Sequence, residues 1–447
     1  MDVYLTEILF GGFVLLLLLG APITVALGGA GMAAYIVLDK DPIALVQIAF
    51  NSVGSFPLMA LPAFVLAGAL MEAAGISRRL VDIAESLAGP ITGGLGVATV
   101  LACLFFGAIS GSGPATTAAV GMLMIPAMTR RNYDRAYASA ITAASGGLGI
   151  IIPPSIPMVI FGIAALGMQP PPEAVERFGT FSSLSIPKLF IAGVVPGIVM
   201  ASGLLVMNYF ISRKAGYRGL TERWDGAEIG QALCRGVWAI LAPVIILGGI
   251  YTGLFTPTES AIVAIFYTLF VGLLVHRELR LAALQQSLRT TTWITGRVLL
   301  ILFTATAFGR LLVEQRIPAN IAESLLALTS NIYIVWALVI VFLLFVGMFM
   351  ETLAAILILV PVLLPVMYMM GADPTHVGIV VICVLSIGFM TPPLGENLFV
   401  ASGIGGESVE RIVMRVLPFV AVSVMAIFLI AFVPALSLWL PGLLGYR

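Results

Sequence analysis

The chain has 447 residues, of which 60% are hydrophobic and 10% charged, with 22 basic residues balancing 22 acidic ones. A soluble domain carries roughly 45–50% apolar and about 25% charged residues, which excludes an ordinary soluble enzyme. Neutral charge excludes a nucleic-acid binder, and a mean hydropathy of +1.11 excludes disorder; the composition is that of a polytopic membrane protein.

Asp2 and Glu7 stand where a cleaved signal peptide carries basic residues, so the first segment is expected to insert. A spanning helix needs about 20 apolar residues. Such runs fall near 5–20, 22–38, 56–74, 91–128, 133–168, 187–212, 234–252, 257–275, 291–312, 331–368, 376–402 and 416–440. The runs 91–128 and 331–368 exceed one crossing, and each has a polar break near its middle. They read as two full helices each or as re-entrant hairpins. The runs 133–168 and 376–402 contain Pro153-Pro154 and Pro392-Pro393; paired prolines remove backbone donors and stop a helix. Residues 169–187, with Pro170-Pro171-Pro172, Glu173, Glu176 and Arg177, read as an external loop.

With the long runs taken as hairpins, sixteen Lys and Arg residues, Arg297 among them, fall on one side and six on the other. That is the positive-inside asymmetry. It corresponds to ten crossings with both termini outside the cytoplasm. Cys103, Cys234 and Cys383 lie in apolar stretches and read as buried, inert thiols. His276 and His376 are isolated, so no zinc or haem site is expected and no cofactor is implied.

The chain also repeats itself. Ile83-Ala84-Glu85-Ser86-Leu87 recurs as Ile321-Ala322-Glu323-Ser324-Leu325. Pro22 matches Pro257 and Pro126 matches Pro361, both 235 residues apart, while Asp134/Asp373, Gly149/Gly388 and Pro153-Pro154/Pro392-Pro393 are 239 apart. Five crossings separate Pro22 from Pro257, so the second copy is inverted. Inverted repeats with broken helices meeting near the midplane are the architecture of secondary transporters.

The chemistry falls at the breaks. Ser110, Ser112, Thr116 and Thr117 crowd the first hairpin's middle around Pro114; hydroxyl and freed carbonyl oxygens suit a hard cation, while small residues also suit close helix packing. The matching stretch, Gly347-Met-Phe-Met-Glu351-Thr352, holds an acid inside an apolar run, which is costly unless it faces a cavity or a partner. At 146–155 and 388–397, unwound carbonyls before the prolines attract a cation and the next helix N-terminus attracts an anion. Glu259 reads as a helix cap, and Glu72, beside Arg78 and Arg79, as an interfacial anchor.

The runs SGSGPATTAAVG (110–121), GGLGIIIPPSIPMVIFG (146–162), GLFTPTESA (253–261), GADPTHVGIV (371–380) and IGFMTPPLGENLFV (387–400) resemble the large membrane subunit of the tripartite ATP-independent periplasmic (TRAP) transporters. The resemblance covers nearly the whole chain, with all five motifs in family order. It implies an all-α polytopic protein of about ten spanning helices and two re-entrant hairpins, working as a Na⁺-coupled elevator in a bacterial or archaeal cytoplasmic membrane. The implied division is scaffold helices and an arm at 1–90, transport-domain halves at 91–168 and 331–402, further scaffold and a second arm at 169–330, and a C-terminal scaffold helix at 403–447. One Na⁺ site is implied at Ser110, Ser112, Gly149, Ile152 and Pro154, and another at Gly347, Thr352, Gly388, Thr391 and Pro393. Substrate contacts are expected from Thr116, Ser155, Glu351 and Asn397. The implied partners are a small four-helix membrane subunit, an extracytoplasmic substrate-binding protein and an organic anion such as a dicarboxylate, sialic acid, keto acid or sulfonate. Many relatives carry aspartate where Glu351 stands, and Glu396 occupies a slot that is often apolar. The alternatives are a single-component Na⁺- or H⁺-coupled dicarboxylate symporter, and, in another class, a channel or membrane enzyme.

Overall fold

The computed structural model describes residues 7–54, 56–329, 331–393 and 395–446. Among them are helices and no strand, since helices satisfy their own backbone where no water is available.

The first copy opens with α1 (Gly12–Leu18), α2 (Ile23–Val37) and α3 (Pro42–Val53). Next, α4 (Ala60–Ala73) meets α5 (Ile76–Ala88) at a 69° bend. The second of these is amphipathic: Ile76, Leu80, Ile83 and Ala84 are buried, while Arg78 and Asp82 face outward. The first long run is two helices, α6 (Gly94–Ser110) and α7 (Gly113–Arg130), packed on each other across a turn at 111–112. The broken helix follows as α8 (Arg135–Gly146), a 3-10 turn at Gly147–Ile150, a non-helical stretch with a cis Pro153-Pro154 bond, and α9 (Ile156–Ala165). A short α10 (Pro172–Phe178) lies in the external loop before the long α11 (Ile186–Ala215).

The second copy repeats this order. Its elements are α12 (Gly226–Tyr251), α13 (Pro257–Phe270), α14 (Leu281–Glu314), α15 (Ile317–Leu328), the pair α16 (Ile332–Phe349) and α17 (Thr352–Met369), the broken α18 (Pro374–Gly388) and α19 (Glu396–Gly405), then α20 (Val409–Phe432) and α21 (Ala435–Leu443). Asp134 and Asp373, matched in sequence, do the same work. Each accepts hydrogen bonds from first-turn amides, of α8 and α18 respectively. Thr256 and Glu259 form a capping box on α13, as read from the sequence.

The copies interlock. The helix after one hairpin turn packs on the half-helix of the other copy: α7 on α19, and α17 on α9. Likewise α8 packs on α20 and α18 on α11, while α4 packs on α13 and α2 on α14. Exchanging the copies maps each of these contacts onto its counterpart, which is the relation a two-fold duplication produces.

Among the described residues, seven helices are long and apolar enough to cross a bilayer, or eight if the bent α4–α5 pair is one span. The sequence reading counts ten crossings. The seven include the hairpin helices α16 and α17, which the ten do not; they leave out α1 and α2, of 7 and 15 residues, and both broken helices, whose pieces of 12, 10, 15 and 10 residues are each shorter than a span. One further point differs from that reading, and two sets of contacts add to it. Cys234 is exposed on α12, while Cys103 and Cys383 are buried. The external loop packs inward, with Phe181 4.9 Å from Tyr368 and the Ser182 hydroxyl 2.5 Å from Asp373. Finally, α11, α20 and α21, expected in the scaffold, lie against the broken helices. The Tyr137 hydroxyl donates to Asn208 of α11 at 2.6 Å, Arg415 of α20 pairs with Asp134 at 2.7 Å, and the His376 ring sits 3.2 Å from the Ser437 hydroxyl.

Candidate functional site

Both hairpin turns and both breaks converge on one cavity of about 330 Å³. Its walls include Ser110 and Ser112 from the first turn, Glu351 and Thr352 from the second, and Ile150 and Glu396 from the breaks. Helices α4 and α14 close the other side with Gly68, Glu72, Thr290 and Arg297.

The convergence depends on glycine. A Cβ on Gly149 would lie 2.4 Å from the Thr116 hydroxyl and 2.7 Å from the Ser112 carbonyl; one on Gly388 would lie 2.4 Å from the Gly347 carbonyl. Each broken helix therefore touches its hairpin backbone to backbone, at positions that correspond between the copies. No larger residue fits either place.

At the first turn the hydroxyls are clustered and buried. The Ser110 and Thr116 hydroxyl oxygens are 2.8 Å apart, and Thr116 donates to the Ser112 carbonyl at 2.7 Å. Thr117 donates to Gly113 at 3.0 Å. At the breaks, Ser155 donates to the Ile150 carbonyl at 2.5 Å and Thr391 to the Ile387 carbonyl at 2.7 Å. These oxygens form a neutral hydroxyl and carbonyl lining. Among the described residues no group of three His, Cys, Asp or Glu side chains could hold a transition metal.

Helix ends supply the opposite polarity. The N-terminal turns of α7, α17 and α19 carry no side-chain cap, and residues of all three line the cavity. Uncapped amides and the helix dipole favour negative charge. The fourth such end, on α9, is capped by Ser155, which accepts from the Met158 amide.

The cavity is charged in a way the sequence reading missed. Arg297, counted there among cytoplasmic loop charges, lies in the middle of α14 and pairs with Glu351. Removing it from the count leaves the excess on that side intact. The signal was present, because Arg297 falls inside the apolar run 291–312, where an ionised group needs a partner. Glu72, read as an interfacial anchor, instead faces the cavity from α4, as does Glu396 from the first turn of α19. Neither forms an ion pair among the described residues.

Of the residues expected at ion or substrate sites, Ser110, Ser112, Glu351 and Thr352 line this cavity. Gly149, Pro154, Gly347 and Gly388 are buried behind it at the hairpin–helix contacts, with Thr116 and Ser155, while the buried Ile152 side chain packs toward Gly197 of α11. Thr391 is half-buried and Pro393 exposed at the second break. Asn397 is fully buried away from the cavity wall; its amide donates across the copies to the Ala143 carbonyl at 2.9 Å, and its own oxygen has no partner among the described residues.

The family described as the tripartite ATP-independent periplasmic transporter, DctM component, matches residues 10–436. The chain is 41% identical over 436 residues to the isethionate TRAP transporter permease of Oleidesulfovibrio alaskensis, covering 97% of this chain but 66% of that longer protein. It is 35% identical over 447 residues to the C4-dicarboxylate TRAP transporter large permease of Rhodobacter capsulatus, covering 98% and 99% of the two chains. Among solved structures, the YdaH transporter of Alcanivorax borkumensis superposes with a TM-score of 0.62 at 12% identity, over 88% of this chain and 87% of its own. That likeness concerns the fold. With the match spanning both hairpins and both broken helices, the chain belongs to the family of large membrane components of the tripartite ATP-independent periplasmic transporters.

Proposed function

We propose that this chain imports a small organic anion, delivered by an extracytoplasmic binding protein and driven by Na⁺. One observation carries the anion: three helix N-termini without side-chain caps, drawn from both copies, open on a single cavity that also holds Arg297. Helix N-termini pointing at an anion and unwound carbonyls coordinating a cation are the transporter arrangement. The isethionate and C4-dicarboxylate relatives place sulfonates and dicarboxylates first among substrates to try.

In this reading one Na⁺ is held by Ser110, Ser112, Gly149, Ile152 and Pro154, and a second by Gly347, Thr352, Gly388, Thr391 and Pro393. The close glycine contacts bring the backbone of each hairpin to its broken helix, where carbonyl oxygens from both could share an ion. The substrate sits between the turns, near Glu351, with Thr116, Ser155 and Asn397 shaping the site from behind.

The moving body in this proposal comprises α6 to α9 and α16 to α19, and α11, α20 and α21 travel with it. Support for that addition comes from the buried Tyr137–Asn208 bond and the Asp134–Arg415 pair. The frame is α2 to α5 and α12 to α15. It works in a cytoplasmic membrane with both termini outside, together with a small four-helix membrane subunit. Vesicles holding this chain, that subunit and the binding protein are expected to accumulate labelled isethionate or succinate only under an inward Na⁺ gradient. Uptake by vesicles holding this chain alone would favour a self-sufficient symporter, and current without substrate would favour a channel.

A further inference from the structure

Arg297 and Glu351 belong to different parts of the architecture. Arg297 is midway along α14; Glu351 is the residue from which α17 begins, at the tip of the second hairpin. Their ion pair joins the helix that closes the cavity to the tip expected to move. The arginine side chain is half exposed; among the described residues its guanidinium hydrogen-bonds Glu351 alone, with Glu396 also within its electrostatic reach. A guanidinium carries five N–H donors in a planar fork suited to carboxylate, sulfonate or phosphonate oxygens. Donors therefore remain free, facing a cavity whose other charged walls, Glu72 and Glu396, are acidic. Among the described residues Arg297 is its one basic lining residue.

We propose that Arg297 is the residue that takes the acidic group of the substrate, and that Glu351 holds its place in the empty protein. This rests on the importer reading above. The entering anion replaces Glu351 on the guanidinium, one acidic group for another, with no covalent change. The exchange has two consequences. The tip is released from α14 as the anion binds. Glu351 is also left as an unpaired carboxylate in a cavity shared with Glu396, which favours cation binding at the moment the anion arrives. Anion and cation binding are then coupled through one side chain.

The test uses the full chain in lipid nanodiscs, in a Cys234→Ser background. Spin labels sit at Leu300 on α14 and Phe349 beside the tip, both exposed positions. The expected distance distribution is narrow in the empty protein, broadened by Arg297→Gln or Glu351→Gln, and narrowed again in the charge-exchanged Arg297→Glu/Glu351→Arg double variant. Whichever of isethionate and succinate the assembled complex imports should broaden it in the parent and leave Arg297→Gln unchanged. In uptake, Arg297→Gln should raise KM at least tenfold and Arg297→Lys less, because lysine keeps the charge without the fork. Uptake in Arg297→Gln at the parent's KM, or a distribution that ignores the imported anion, overturns the exchange and leaves the importer reading standing. A parent complex that imports no organic anion overturns the importer reading first.

Discussion

The side-chain amide of Asn397, in the first turn of α19, donates to the backbone carbonyl of Ala143 on α8, 254 residues earlier and 2.9 Å away. One buried bond thus ties the second copy's half-helix to the first copy's broken helix, beside the two hairpins. Asn397→Ala is expected to destabilise the purified chain by about 1–3 kcal/mol, because it strands a buried carbonyl. Asn397→Asp should cost at least as much, since it sets an acceptor against an acceptor. Thermal unfolding in detergent measures both, and an unchanged midpoint would show that the copies are held together elsewhere.

Gly149→Ala and Gly388→Ala should each impair transport and lower stability, by about 1–3 kcal/mol for a close-packed site that cannot give way. The atoms a methyl group would meet at 2.4–2.7 Å include backbone carbonyls of the hairpins. Gly230→Ala and Gly248→Ala, where nothing lies within 4 Å, serve as controls. Uptake and melting measured on all four should separate into two groups.

Thr116→Val keeps the side chain's shape but removes the hydroxyl shared with Ser110 and the Ser112 carbonyl. The Na⁺ concentration for half-maximal uptake should rise about 3- to 10-fold, the equivalent of one lost hydrogen bond. Thr391→Ala should shift it in the same direction. Ser112→Ala should do less, because in this cluster Ser112 contributes its carbonyl, which alanine retains. Equal Na⁺ dependence in all three would remove the proposed ion sites.

Sliding of the hairpins against α4 has its own test. A Cβ on Gly68 would lie 3.3 Å from Ser110 Cα, so a Gly68→Cys/Ser110→Cys pair is within disulfide reach. Oxidation should abolish uptake, and reduction should restore it to the level of the Ser110→Cys single variant. Undiminished uptake in the oxidised protein would exclude relative movement at this contact.

Much of the site's plan is legible without coordinates. Gly149 and Gly388 stand out as partners because both precede a double proline at the same spacing, and Asp134 and Asp373 as twin caps because each opens a helix. Those are local properties, carried by residues a few positions apart. Cys234 shows where local reading stops: its apolar neighbours suggested burial, but it lies on the outward face of α12. Asn397 was expected to meet substrate, yet its environment depends on α8, which no spacing around residue 397 encodes.

The amino-acid sequence alone determined the membrane class, the duplication, the two broken helices and the family resemblance. These follow from apolar run length, from the donors proline lacks, and from residue matches along one chain. Only the tertiary structure decided what each charge faces. Arg297 and Glu351 meet because α14 passes the tip of a hairpin that begins 35 residues after Arg297, in a cavity built from both copies. An arginine in an apolar run announces that it needs a partner; which acid answers is a matter of packing between helices, and one-dimensional spacing carries no record of it.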